Sequence, residues 1–319
     1  MQLNERAAAL IDALLPMTEE LRIECLQSDC GAMLIDFGIN VPGGLRAGCA
    51  LAECCLSDLG HVAICQAIES DQWGPRVQIV TDHPVLACLA SQYAGWRVAD
   101  GKYSAMLSGP ARAARHNEPI FERISRDAVA GFDEVAEVAV GVLEGRQFPP
   151  AKVCADIARQ VQITPEALTL LLAPTASLAG TVQIVARSVE TAVHKMAELG
   201  FDLGTLDSAH GIAPLPPVGS DDLIAIGRTN DAILYGGEVT IWMRGADEQI
   251  EELGPRIPSS ASPQFGKPFI EIFKEAGNDF YKIDPQLFSP AVINLISHDS
   301  GKCWRFGKMR NDVLAKSFG

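Results

Sequence analysis

Residues 168–200 constrain this chain more than any other stretch. Leu168-Thr169-Leu170-Leu171-Leu172 is a short apolar run, and Pro174-Thr175-Ala176-Ser177 breaks it. A helical pattern then runs from Leu178 to Leu199, where Gly200 stops it. A run so short and so apolar reads as a strand buried on both faces. A strand feeding a helix through a tight turn is the unit of layered α/β folds. Their ligands collect at the carboxyl ends of the strands, where helix N-termini present free N–H groups. Thr175 and Ser177 stand at that place, and they fit plain N-caps equally well.

At about 100° per residue, Leu178, Val182, Val185, Ala186, Val189, Val193 and Met196 fall on one stripe, which predicts a buried face. Gln183, Arg187, Glu190 and His194 form a second stripe beside it. Ser188, Thr191, Lys195 and Glu198 lie farther round and are expected in solvent. Arg187 and Glu190, three apart, can touch. That spacing fits an ordinary surface ion pair. It also fits a partly buried pair in which the guanidinium keeps a basic carboxylate ionised, ready to take a proton from an attacking water. His194 fits a satisfied or exposed histidine as readily as a proton carrier.

The same alternation extends along the chain. Asn4 to Leu15 reads as an amphipathic helix ended by Pro16, residues 30–37 as a strand, and Leu45 to Leu56 as a helix. His61 to Ala67 and Arg76 to Thr81 read as strands. Asp82 is placed to cap a helix towards Tyr93, with Pro84 in its first turn. Strands are expected near Tyr103 to Leu107 and Val135 to Leu143, with a helix from Ala111 between them and another over Ala151 to Val161. Later, Ala232 to Tyr235 and Val239 to Met243 flank Gly236-Gly237, a hairpin signal. Ala291 to Ile296 joins Cys303 to Phe306 through Asp299-Ser300-Gly301. The fold class is therefore α/β: two α/β domains with mixed sheets flanked by helices. At 319 residues two domains are expected, 1–150 and 151–319, divided at Pro149-Pro150, with the C-terminal strands free to pack back on the first.

A net charge of −14 disfavours nucleic acid as a partner. No apolar stretch nears the roughly 18 residues that span a bilayer, and Met1 to Pro16 lacks the apolar core of a signal peptide, so a cytoplasmic protein is expected. The nine cysteines include no Cys-x-x-Cys pair and read as reduced, small hydrophobes, with no metal expected. No Gly-x-Gly-x-x-Gly follows a strand, which disfavours a nicotinamide dehydrogenase.

Several longer strings fix the reading further. They include Asp36-Phe37-Gly38-Ile39-Asn40-Val41-Pro42-Gly43-Gly44, Ala90-Ser91-Gln92-Tyr93-Ala94-Gly95-Trp96 and Ser108-Gly109-Pro110-Ala111-Arg112. The second half adds Ala173 to Gly180, Ala186 to Ala192, Gly227 to Ala232, Ile257 to Ser262, Phe280 to Pro285 and Leu287 to Ala291. In order and spread, covering almost the whole chain, they resemble the methenyltetrahydromethanopterin cyclohydrolases of methanogenesis and methylotrophy. The Ser208-Ala209-His210-Gly211 turn departs from the Gly-rich pattern expected there.

The resemblance implies a one-carbon enzyme that reversibly hydrolyses the 5,10-methenyl form of a tetrahydromethanopterin-type carrier to the 5-formyl form. It implies no metal or other cofactor, a pterin substrate in an interdomain cleft, and a homo-oligomer, with a trimer favoured. The Arg-x-x-Glu motif maps the catalytic pair onto Arg187 and Glu190. Tyr93, Ser108, Arg112, Thr175, Ser177, Gln183, Arg228, Ser259, Ser260 and Lys267 are the expected carrier contacts. Arg112 and Lys267 also fit solvated positions, and Tyr93 and Trp96 fit core packing. A non-catalytic protein that binds or channels the carrier is the alternative on the same scaffold.

Overall fold

The computed structural model describes residues 2–66 and 73–319. Its strands are β1 (Glu24–Gln27), β2 (Met33–Asp36), β3 (His61–Cys65), β4 (Arg76–Thr81), β5 (Trp96–Asp100) and β6 (Tyr103–Ser108). After them come β7 (Ala139–Glu144), β8 (Leu168–Ala173), β9 (Leu206–Pro214), β10 (Glu238–Met243), β11 (Val292–Ser297) and β12 (Cys303–Gly307). They form two six-stranded mixed sheets, in the orders β1-β2-β8-β7-β6-β5 and β12-β11-β10-β9-β4-β3. The fold is α/β, as the alternation predicts. Residue 67, the expected end of β3, lies outside the described residues.

The chain divides into two compact units. The first comprises Met1–His61 and Leu86–Gln183, the second Val62–Val85 and Ile184–Gly319. Pro149-Pro150 falls inside the first unit. β7 and β8, on either side of it, pair in parallel, Ala139 with Leu168 through Glu144 with Ala173. β3 and β4, from the N-terminal half, join the sheet of the second unit, where β4 pairs antiparallel with β9.

In the first unit β8 lies between β2 and β7, parallel to both. Leu168, Leu170 and Leu172 pack with Val153, Cys154, Ile157 and Ala158 of the helix Ala151–Gln160. Leu171 and Ala173 pack the other way, with Ala7 and Ile11 of the helix Leu3–Leu14 and Leu51 and Cys55 of the helix Leu45–Cys55. Helices on both faces explain why the 168–172 run carries no polar alternation. The helix Leu3–Leu14 is capped from afar. Buried Glu134 accepts the backbone N–H groups of Leu3 at 3.0 Å and Asn4 at 2.8 Å, where the helix dipole favours a carboxylate.

Four local expectations change. The helix over 178–199 is two helices, Leu178–Val185 and Ser188–Leu199, separated at Ala186-Arg187. The expected hairpin at Gly236-Gly237 is instead a helix, Asp222–Gly236, followed directly by β10. Asp221 caps it by accepting Ile224 N–H at 2.9 Å. Gly236 is where that helix meets Pro214, since a Cβ there would lie 2.7 Å from Pro214 Cγ. Asp82 caps nothing: its carboxylate accepts Ser208 Oγ at 2.7 Å, while Thr81 Oγ1 takes the His83 N–H. The helix beyond it, Val85–Gln92, is wound as a π-helix, and Tyr93 N–H still reaches Cys88 O at 2.8 Å, five residues back. Finally, the exposed edge strand β1 and the strand β5 join the predicted elements.

Candidate active site

In the first unit the parallel strands β2 and β8 deliver their carboxyl ends side by side. The Asp36 carboxylate turns the chain there, accepting N–H groups from Gly38 at 2.7 Å, Ile39 at 2.6 Å and Asn40 at 2.7 Å. Gly38 can then press against Ser177, whose Oγ would stand 2.9 Å from a Cβ at that position. Ser177 is the N-cap of the helix Leu178–Val185: its Oγ accepts Gly180 N–H at 3.0 Å and donates to Pro174 O at 2.8 Å. Gly180 has no alternative, because a Cβ there would sit 2.0 Å from the Pro174 carbonyl oxygen. Thr175 is buried in the same turn, and its carbonyl accepts Thr181 Oγ1 at 3.3 Å.

Gln183 and Ser108, both buried, meet at one sulfur. Cys55 Sγ lies 3.4 Å from Ser108 Oγ and takes the Gln183 amide at 3.9 Å. Arg112 is fully buried and held at each nitrogen. Nε and Nη2 grip Glu118, Nη1 donates to Leu89 O and Ser91 O, and the guanidinium lies 4.9 Å over the Tyr93 ring. Tyr93 is thus half-buried against a cation.

In the second unit the pair singled out by spacing stands where a helix begins. Arg187 occupies the N-cap of Ser188–Leu199, with Thr191 N–H on its carbonyl at 2.9 Å, and Glu190 lies in the first turn. Each is only 6% exposed. A carboxylate in a first helical turn faces the positive end of the macrodipole, which favours its ionised form. The pair is therefore not on an open surface. His194 is half-buried.

The apolar stripe is buried as expected from Val182 to Met196. The solvent stripe is not: Ser188 is buried and Lys195 is 1% exposed. Lys195 Nζ donates to Gln286 O at 2.8 Å and to the Gln286 side-chain oxygen, and burial pushes its ammonium down to about 8 against the pull of Asp284. The wheel misses Ser188 and Lys195 because that side of the helix is covered as well, Ser188 against Gly211 and Lys195 against Gln286.

The other predicted contacts lie apart along the second unit. Arg228 clamps the chain end, donating to the carbonyls of Pro217, Val218, Ser317 and Phe318. Ser259 is buried and donates to Leu234 O at 2.5 Å, whereas Ser260 is exposed. Lys267 pairs with Glu275. Buried Asp231, which sequence reasoning did not select, accepts Phe269 N–H at 2.8 Å, and burial pushes its carboxyl up to about 7. Among the described residues no helix is long and apolar enough to cross a membrane, and no three His, Cys, Asp or Glu side chains gather as metal ligands.

Comparison with known proteins covers the whole of this architecture. The family model described as Cyclohydrolase (MCH) matches residues 2–318. The chain is 46% identical over 291 residues to a methenyltetrahydromethanopterin cyclohydrolase of Rhodopirellula baltica, covering 91% of this chain and 86% of that one. To the enzyme of that name from Methylobacillus flagellatus it is 42% identical over 316 residues, 99% of this chain and 95% of that one. To that of Methanocaldococcus jannaschii it is 41% identical over 329 residues, 100% and 98%. The candidate residues of each unit lie inside the matched span, and the chain belongs to the methenyltetrahydromethanopterin cyclohydrolase family of hydrolases.

Proposed function

We propose that the chain hydrolyses 5,10-methenyl-tetrahydromethanopterin, or a close variant of that carrier, reversibly to the 5-formyl form, with Glu190 and Arg187 as the reacting pair. The observation that carries the assignment is their placement at one helix N-terminus, each 6% exposed, in a chain matched end to end by the family.

The substrate's amidinium carbon already bears positive charge, so water needs orientation and a base. In this reading Glu190 takes one proton as the water oxygen bonds to that carbon. It returns the proton to the ring nitrogen whose bond to carbon then breaks. The second water proton leaves as the formyl carbonyl forms, so one proton is released overall. Arg187 favours the ionised Glu190 and fixes its direction. Tyr93, Ser108, Thr175, Gln183 and Ser260 are proposed carrier contacts. Arg112, Ser177, Arg228, Ser259 and Lys267 are proposed contacts too, each already holding a partner within the chain. An assembly of identical chains, a trimer by expectation, belongs to the same reading.

Loss of the methenyl absorbance tests it. Glu190→Gln and Arg187→Ala should lower kcat by about 10²–10⁴, the usual worth of a positioned acid–base group, with the far-UV spectrum unchanged. Wild-type turnover by folded Glu190→Gln sinks the assignment. A protein that bound the carrier without converting it would leave the absorbance constant even in the unsubstituted chain.

A further inference from the structure

Two thiols far apart in the chain meet in the first unit. Cys30 stands in the tight turn between β1 and β2, where Ser28 N–H reaches Ala32 O at 2.9 Å and Gly31 N–H reaches Ser28 O at 2.8 Å. Half-buried, it packs onto the apolar cluster in which Cys154 stands. Cys154 belongs to the helix Ala151–Gln160 and is fully buried. The Cys30 thiol donates to Ser28 Oγ at 3.5 Å. The Cys154 sulfur has that same hydroxyl and the Cys30 thiol as hydrogen-bonding partners. Burial pushes the Cys154 thiol up to about 11, with the Ser28 hydroxyl pulling the other way. All nine cysteines are free. Cys54 and Cys55 are adjacent in sequence, but consecutive helical residues point about 100° apart, and both are fully buried.

We propose that Cys30 and Cys154 are a site of reversible oxidation, which takes hydrogen peroxide and closes into a disulfide within the chain, with Ser28 serving both sulfurs. Exposure divides the work between the two thiols. Cys30 is the one that an oxidant in solvent can reach, whereas Cys154 is buried and held as the thiol at neutral pH. In the first step the peroxide O–O bond breaks. One oxygen bonds to the Cys30 sulfur and the other leaves as water, giving a sulfenic acid. In the second step the Cys154 sulfur attacks the Cys30 sulfur, the S–S bond forms and the S–O bond breaks. The departing hydroxide takes the Cys154 proton, passed on by the Ser28 hydroxyl, and leaves as water. Two thiols lose two electrons, one peroxide gains them, and two waters remain.

The placement gives the bridge two consequences. A sulfenic acid left alone goes on to the sulfinic acid, which thiols do not reduce, and a second sulfur in contact diverts it first. The bridge also ties the turn of an exposed edge hairpin to a core helix and closes a loop that runs from β2 through β7. Closing so long a loop takes freedom from the unfolded chain and so favours the folded one. Neither cysteine is in the reacting pair or among the proposed carrier contacts, so the site does not depend on the functional reading above.

The unaltered protein, treated with peroxide at neutral pH, should become about 2 Da lighter as two hydrogens leave, and dithiothreitol should restore them. Trypsin leaves Cys25 and Cys30 in one peptide, residues 23–46, and Cys154 in another, residues 153–159. Fragmentation of the linked pair should place the bridge at Cys30. The oxidised protein should melt about 5 °C above the reduced one, and Cys30→Ser should lose that rise. In Cys154→Ala, Cys30 should accumulate sulfinic acid at a peroxide dose that gives the wild type only the bridge. A bridge at Cys25 overturns the proposal, as do Cys30 and Cys154 thiols that both alkylate when the treated protein is unfolded. Equal sulfinic acid at Cys30 with and without Cys154 overturns it too. A linked protein that melts no higher than the reduced one overturns the stabilisation alone. The mass and the peptide map need no variant, so a misfolded variant does not shield the proposal. Methenyl turnover of reduced Cys30→Ser should equal that of the wild type, and failure of the Glu190 assignment would leave the bridge untouched.

Discussion

Asp231 shows how much one buried carboxyl decides. Its Oδ1 holds the Phe269 N–H, and burial raises its pKa to about 7 against the pull of the Ser317 hydroxyl and of that N–H. The unfolded chain gives the same group an ordinary value of about 3.9. Between those two values the folded state holds a proton that the unfolded state has lost, so stability falls as pH rises through that window and is flat above it. Asp231→Asn keeps an acceptor for Phe269 and abolishes the titration. The Tm of the variant minus that of the wild type should therefore climb from pH 4 to pH 7 and level off by pH 8, by up to about 4 kcal/mol in stability. A difference that does not change with pH would refute it. Residues of this kind were illegible in the sequence. Asp231 sat in a recognised string, but its partner is 38 residues away, and nothing local marks it as buried. Arg187 and Glu190 could be paired on spacing because their relation is local, an N-cap and a first-turn residue of one helix.

Helices and strands were legible in proportion to how locally they are determined. β4 matches its expected ends, and the helices over 3–14, 45–55 and 151–160 match to within a residue or two. Errors came where tertiary contacts override the local pattern, as at the helix break before Ser188 and the helix Asp222–Gly236 where a hairpin was expected. The start of the helix Leu3–Leu14 is a further case. Gln2 supplies no cap, and Glu134, 130 residues on, accepts the N–H groups of Leu3 and Asn4 together with Asn4 Nδ2. Glu134→Ala should strand those donors and lower stability by about 1–3 kcal/mol for each one left without water. A denaturant midpoint equal to that of the wild type would show that the carboxylate contributes nothing.

At the scale of the whole molecule, neither unit is one continuous piece of chain. A fragment ending at residue 150 contains β2 and β7 but lacks β8, the strand between them. It should show neither a near-UV signal nor cooperative unfolding, and a sharp melting transition in it would contradict the interleaving. Composition and periodicity gave no sign of this weave, because pairing partners so distant leave no local trace. The weave also governs synthesis. β4 needs β9, and Gln78 meets His210 across 132 residues of chain. At about 5–20 residues per second, the early strands of the second unit leave the ribosome roughly ten seconds before their neighbour exists. Through that interval β4 offers an unpaired edge to any other nascent chain, so the growing polypeptide is most exposed to misassembly just when its first unit still awaits β8.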